Sequence, residues 1–209
     1  MRRVGITGAE GHIGSALLEG LADRYKIVPI TLTTQAFEST VVDLSDATAT
    51  TGIFDGLDAV IHLAADPSPT GLWESMLQNN ISASYNVLEE ARRAGVKKVV
   101  FASTNHTQHG YTMGGSPDEL DLEKNFMLRI DDPPNPTSLY GVSKLTGEQL
   151  GRFFSREYGL QFVALKPVAA MTQQLRWAAH LRTTSGRCLS AFATLQRPSQ
   201  RPLKSMRRF

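Results

Sequence analysis

Val4-Gly5-Ile6-Thr7-Gly8-Ala9-Glu10-Gly11-His12-Ile13-Gly14 is the stretch that decides the fold. Val4 to Thr7 is a short apolar run that stops at a glycine, as a strand buried on both faces would. From His12 to Arg24, Ile13, Ala16, Leu17, Leu18 and Leu21 recur at helical spacing. Between the two lie Gly8, Gly11 and Gly14, spaced GxxGxxG. Glycines alone are a weak signal. Their place between strand and helix makes them specific, because each then has a mechanical task. The first permits a tight turn, the second lets a pyrophosphate approach the backbone, and the third lets helix and strand pack closely. The helix start adds unpaired N–H groups and a positive dipole end for the phosphates.

Further along, strand and helix patterns alternate. Lys26–Leu32 reads as a second strand, although Pro29 inside it lacks a ladder donor. Thr40–Leu44 and Asp58–Ala65 read as a third and fourth. A long helix is expected from Glu74 to Ala94, closed by Gly95. Lys98–Ser103 is the fifth strand. Asn135-Pro136-Thr137-Ser138 supplies a turn and an N-cap for a helix that runs to about Tyr158 and ends at Gly159. Leu160–Lys166 is the sixth strand. This alternation specifies βαβ units, hence an α/β, doubly wound parallel sheet covered on both faces.

A nucleotide in such a fold usually meets an Asp or Glu about 20 residues beyond the glycines, which binds the ribose hydroxyls. Here Ile30-Thr31-Leu32-Thr33-Thr34 offers no acid, and no Arg or Lys for a 2′-phosphate. NAD against NADP stays open, with the missing base favouring NAD. Asp43, after the third strand, is placed either to meet the adenine edge or to cap a helix.

Tyr140-Gly141-Val142-Ser143-Lys144 is YxxxK at a helix start. Residues i and i+4 share a helix face, so phenol and ammonium can approach one cofactor. A nearby cation is expected to lower the Tyr140 pKa. Such a tyrosine can take a proton from an alcohol while hydride leaves for a nicotinamide. A hydroxyl partner is expected at the end of the fifth strand, where open α/β sheets bind ligands. Either Ser103 or Thr104 can hold the substrate oxygen there. His106 and His109 have no Cys or Glu partner in a ligand pattern, so no metal site is expected.

The chain has 209 residues and a net charge of +2, unevenly laid out. Residues 1–167 carry 14 − 20 = −6, while residues 168–209 carry eight basic residues and no acid, hence +8. With 41% hydrophobic and 20% charged residues, the composition is that of a globular protein. No stretch approaches the roughly 20 apolar residues that cross a bilayer, so no membrane partner is expected. The N-terminus has no secretory signal pattern. The single cysteine, Cys188, cannot form an internal disulfide, and a cytoplasmic setting is expected.

Thr7–Gly14, Asp43-Leu44, His62-Leu63-Ala64-Ala65, Asn80, Phe101–Thr104 and Tyr140–Lys144 together resemble, in kind and order, the extended short-chain dehydrogenase/reductase family, the NAD-dependent epimerase/dehydratase group. Phe101–His106 looks most like uronate dehydrogenases and related sugar dehydrogenases. The resemblance implies a Rossmann-type sheet and NAD as cofactor, with NADP not excluded. It implies cofactor binding by Gly8, Glu10, Gly11, His12, Ile13 and Gly14. Asp43 would contact adenine beside Leu44, and Ala64 and Ala65 would pack on the cofactor. Asn80 would support the fifth strand and the site. Tyr140 would be the acid/base, and Lys144 would bind the nicotinamide ribose and tune Tyr140. Thr104 falls on the catalytic hydroxyl position, with Ser103 beside it. Ser103, Asn105 and His106 would face the sugar. The implied reaction is oxidation of a sugar C1 hydroxyl to a lactone. A nucleotide-sugar epimerase or dehydratase is the alternative, and a homodimer through the long helices is implied.

The resemblance stops after Lys166-Pro167. Residues 1–167 are expected to form the NAD(P)-binding domain, truncated before a substrate lobe, and 168–209 a basic irregular tail. Two origins stand for the tail, a change of reading frame (favoured) or a native appendage contacting nucleic acid or an acidic partner. Nucleic acid is not the expected partner, and a sugar is. A non-catalytic dinucleotide-binding protein is the third reading. Without the lobe, weak NAD(H) binding and little sugar oxidation are expected.

Overall fold

The computed structural model describes residues 1–111 and 132–166. The expectations placed on the tail, including a short helix over 171–181 and Cys188, lie outside the described residues. Six parallel strands form one sheet: β1 (Arg3–Thr7), β2 (Lys26–Thr31), β3 (Thr40–Val41), β4 (Ala59–His62), β5 (Lys98–Ala102) and β6 (Gln161–Leu165). Their order is β3-β2-β1-β4-β5-β6, and every neighbouring pair is parallel. This is the doubly wound order expected. Helix α1 (His12–Leu21) joins β1 to β2. A helical stretch of α2 (Trp73–Ser75), a π-helical segment (Met76–Ser82) and α3 (Ala83–Arg93) joins β4 to β5. Helix α4 (Leu139–Tyr158) joins β5 to β6 and packs on α3. Right-handed crossovers that run outward in opposite directions from the β1/β4 centre put α1 on one face and α3 and α4 on the other.

The core is made where the sheet meets α3 and α4. Val60, Val87, Val99, Phe54, Phe154 and Leu88 are buried in one cluster. Gly147 and Gly151 let α4 lie close on the sheet. A Cβ on Gly147 would stand 2.5 Å from Phe101 Cζ, and one on Gly151 would collide with the Phe162 ring. Any larger residue there forces strain of about 1–3 kcal/mol.

Three expectations change in detail. Pro29 does lie in a paired strand, opposite Ile6. The Ile30 carbonyl faces the β1 side, where it accepts from Ala9 N, and the Thr31 carbonyl faces β3, where it accepts from Val42 N. By alternation Pro29 faces the β3 side, one residue before that pairing begins at Ile30. Its missing N–H thus costs no ladder bond. The third strand is shorter than expected, because Asp43 turns the chain out of the ladder by accepting from Ser45 N at 2.8 Å. The single long helix carries a π-helical insertion, which period-3.6 reading does not detect. No helix among the described residues is long and apolar enough to cross a membrane.

Candidate functional site

The strand order reverses between β1 and β4, and the C-terminal ends of these strands open a cleft of about 580 Å³. Open α/β sheets bind ligands at such a switch point. Gly8, Glu10, Gly11, His12, Ile13 and Gly14 line one end of the cleft, and Tyr140 and Lys144 the other. Gly8 has φ +67°, and a Cβ there would come 2.8 Å from Ala64 N. A Cβ on Gly14 would strike the Gly8 carbonyl and stand 2.7 Å from Ala9 Cα. Both glycines are therefore required by close approach. Helix α1 starts behind Gly11 with no side-chain cap and no acid in its first turn. Its first N–H groups remain available to an anion, as phosphate binding requires.

Thr7 and His62 tie the two central strands together under the loop. The Thr7 hydroxyl oxygen accepts from Leu63 N at 3.2 Å and Ala64 N at 3.3 Å and lies 2.8 Å from His62 Nδ1. Its own proton goes to Nδ1, so His62 carries its proton on Nε2, 3.2 Å from Ser84 Oγ. His62 is 1% exposed. Burial first, and the Lys144 charge second, push its pKa down to about 3. This network holds Ala64 and Ala65 against the cleft, which both line. The pattern of His62 among apolar neighbours was visible in sequence, but its partners Thr7 and Ser84 were not.

Asp43 and Leu44 line the cleft beyond β2. Asp43 Oδ1 accepts from Ser45 N and, at 2.7 Å, from Ser45 Oγ. No helix starts at Asp43 among the described residues; its carboxylate closes a turn at Ser45 while the residue lines the cleft. Asn86, on α3, fixes this loop by donating to the Leu44 and Ser45 carbonyls at 2.9 and 3.1 Å. Sequence reasoning missed it, since an Asn in a helical run carries no signal of its own.

Ser138 caps α4 by accepting from Gly141 N at 3.1 Å. One turn in, Tyr140 and Lys144 share the face that lines the cleft. Lys144 is 3% exposed, and burial lowers its pKa to about 8. Its ammonium lies 4.9 Å from the Phe101 ring centroid, a cation–π contact. Tyr140 departs from expectation. Its pKa is raised by burial first; a hydrogen bond from Thr104 lowers it and the Asp66 charge raises it. Lys144 is not among the causes of that shift.

The two hydroxyls after β5 separate. The Thr104 hydroxyl donates to Asn105 Oδ1 at 3.3 Å and accepts from His106 N at 3.2 Å, and it stands near enough to Tyr140 to lower the phenol's pKa. The Ser103 hydroxyl donates to the buried Glu148 of α4, which Lys166 reaches at 3.5 Å. Of the two hydroxyls, Thr104 is the one that acts on the Tyr140 phenol. Ser103, 3% exposed, gives its hydroxyl proton to Glu148. Asn80 lies in the π-helical segment and is 2% exposed. It accepts from Asp66 N at 2.7 Å and donates to Asp66 O at 3.0 Å and Ser143 Oγ at 2.9 Å. It therefore braces the loop after β4 against α4, not the fifth strand. Its neighbour Asn79 lines the cleft instead. Asn105 and His106 begin a 3-10 helix (Asn105–Tyr111), where the His106 ring stacks on His109 at 3.7 Å and meets Tyr140 edge-on at 5.4 Å.

Comparison with known proteins follows the same outline. The chain is 38% identical over 169 residues to the L-arabinose 1-dehydrogenase (NAD(P)(+)) of Haloferax volcanii, covering 79% of this chain and 66% of that protein. It superposes on the crystal structure of uronate dehydrogenase from Agrobacterium tumefaciens with a TM-score of 0.67 and 34% identity, over 78% of this chain and 59% of that one. A UDP-galactose 4-epimerase structure matches with a TM-score of 0.65 and 29% identity, over 78% and 55% of the two chains. The chain thus spans from about half to two thirds of the length of these relatives. The family model matches residues 4–194, a range that runs past residue 167, where the resemblance was expected to stop. A match over that much of the chain, with the glycine loop, Tyr140 and Lys144 on one cleft, is decisive: the chain belongs to the NAD dependent epimerase/dehydratase family.

Proposed function

We propose that this chain carries the cofactor-binding and proton-transfer parts of an NAD-dependent oxidoreductase acting on a hydroxyl of a sugar or uronic acid. The observation that carries the proposal is one continuous cleft, glycine loop at one end and Tyr140 with Lys144 at the other. The residues fit a dinucleotide. Gly8 and Gly14 leave a cradle that any Cβ would fill, and the uncapped start of α1 faces the same space. Gly8 to Gly14 would hold the pyrophosphate, Asp43 and Leu44 the adenine, Ala64 and Ala65 the cofactor's face, and Lys144 the nicotinamide ribose. Bound there, NAD supplies a hydride acceptor. Tyr140, once ionised, would take the alcohol proton as hydride leaves, with the Thr104 hydroxyl beside the phenol and Lys144 on the same helix face. Asn80 and Ser143 hold the backbone on which Tyr140 stands, since Ser143 Oγ donates to the Tyr140 carbonyl at 2.8 Å. Asn105 and His106, beside Tyr140, are assigned to the sugar side.

The relatives named as arabinose and uronate dehydrogenases support a sugar as substrate. The epimerase relative supports a second reading, in which the hydride returns to the sugar. Residues 1–167 are proposed as the cofactor domain and 168–209 as a separate basic segment. A cytoplasmic setting is proposed from the lone Cys188, and a homodimer from the exposed apolar residues Tyr85, Val142 and Phe153 on α3 and α4. The test is fluorescence titration of the purified chain with NADH, followed by absorbance of NADH formed from NAD with aldoses and uronic acids. Weak NADH binding with slow net NADH formation is expected. Tyr140→Phe should cut turnover about 10²–10⁴-fold, the range of general acid–base catalysis, while NADH affinity holds. Sugar conversion without net NADH would favour the epimerase. Failure to bind NADH would remove both readings.

A further inference from the structure

The end of β2 carries no acid of its own, and a carboxylate of the glycine loop reaches it. Glu10 sits between Gly8 and Gly11 and lines the cleft beside Leu32 and Thr31. Its Oε1 accepts from Leu32 N at 2.9 Å, so the carboxylate is fastened across to the end of β2. That is where an acid carried by the strand itself would stand, and Leu32-Thr33-Thr34 offers none. Glu10 Oε2 is buried and has no hydrogen-bond partner among the described residues. A carboxylate oxygen shut off from both water and donors is a costly arrangement, which calls for an explanation. A donor arriving in the cleft next to Leu32 would supply one, with a small turn of the carboxylate.

We infer that Glu10 is the specificity-determining carboxylate of the cleft: it accepts from the adenosine ribose hydroxyls and repels a 2′-phosphate, selecting NAD over NADP. The inference rests on the dinucleotide reading proposed above and extends it to the choice between two cofactors. Two further observations agree. Lys144 is the single Lys or Arg among the described residues that line the cleft, and it lies at the opposite end, with Tyr140. A 2′-phosphate near Leu32 would thus meet the Glu10 charge with no Lys or Arg to offset it. A diol, by contrast, brings two donors to an acceptor with an unfilled oxygen, and hydrogen bonds to a charged acceptor are the strong kind.

The competing explanation is that Glu10 only clamps the loop to β2. Glu10→Gln separates the two, because the amide oxygen still accepts from Leu32 N while the charge is gone. The experiment is fluorescence titration of the chain and of Glu10→Gln with NADH and with NADPH, each variant checked by thermal unfolding. The ratio of the two affinities is read within one protein, so a partly unfolded variant affects both titrations alike. The chain should prefer NADH by about tenfold or more, the step of one strong hydrogen bond. Glu10→Gln should bring the ratio close to one, by weakening NADH and strengthening NADPH. A ratio near one in the unaltered chain, or an unchanged ratio in Glu10→Gln, overturns the assignment and leaves the dinucleotide reading standing. If neither nucleotide binds, both fall together.

Discussion

His62 shows how one buried side chain couples the site to pH. Unfolded, it binds a proton near 6.5; folded, between Thr7 and Ser84, only near 3. Between those values the unfolded chain holds more protons than the folded one, so stability rises with pH. The contribution is complete above 6.5 and is lost as pH falls toward 3. Urea unfolding at pH 7 and pH 4.5 should therefore differ by roughly 2–3 kcal/mol from this residue. His62→Gln should remove most of that slope, and a slope untouched by the substitution would show that His62 is charged in the folded state. Tyr140 and Lys144 were legible from spacing alone, because i and i+4 share a helix face whatever the tertiary context. The direction of the Tyr140 shift was not, because it depends on how much water and which hydroxyls surround the phenol. The choice between Ser103 and Thr104 was likewise closed to sequence. It is made by Glu148 on α4, which takes the Ser103 hydroxyl.

Between these residues and the sheet, the π-helical segment Met76–Ser82 carries the structural burden. Such segments are rare and gather at functional sites. Here it turns Asn80 inward to satisfy both the N–H and the carbonyl of Asp66 while also donating to Ser143. Asn80→Ala would leave buried backbone groups and a hydroxyl without their partner, at a cost of about 1–3 kcal/mol for an unsatisfied buried group. Calorimetry should show that loss. Turnover should fall through kcat, since the Tyr140 backbone loses a brace and the glycine loop does not. An unchanged kcat with raised KM for NAD would place Asn80 with the cofactor instead. Helix periodicity had located Asn80 on the long helix, and the family resemblance had it support the fifth strand and the site. An inserted residue rotates every later position and cannot be seen in a repeat of 3.6. Pro29 is the opposite case, an apparent breaker made harmless because its side of β2 has no partner at that level.

Taken whole, the sheet is most protected where it is most central. Ile6 in β1 and Val60 in β4 are fully buried, whereas Val41 in the edge strand β3 is 49% exposed. Hydrogen exchange should follow that gradient, with β1 and β4 amides opening only on global unfolding and β3 amides exchanging orders of magnitude faster. Added NADH should slow the amides from Gly11 to Gly14 beyond the rest of the molecule. Equal slowing everywhere would mean that the nucleotide stabilises the fold without using the loop. The net charge of +2 is the sum of −6 over residues 1–167 and +8 over residues 168–209, and the cleft with every group assigned to it lies in the first of these ranges.

The sequence by itself determined the parallel α/β class, the glycine loop, and the Tyr140–Lys144 pair. Each depends on local periodicity, on φ freedom, or on a fixed spacing along one helix. Tertiary structure alone decided that Thr104 rather than Ser103 meets Tyr140, and that Asn80 braces Asp66. It also decided that Lys144 lies over Phe101 and that Glu10 reaches across to Leu32. Those contacts join residues far apart in the chain. Their energies depend on burial and on the partner opposite, and neither is encoded in any one segment.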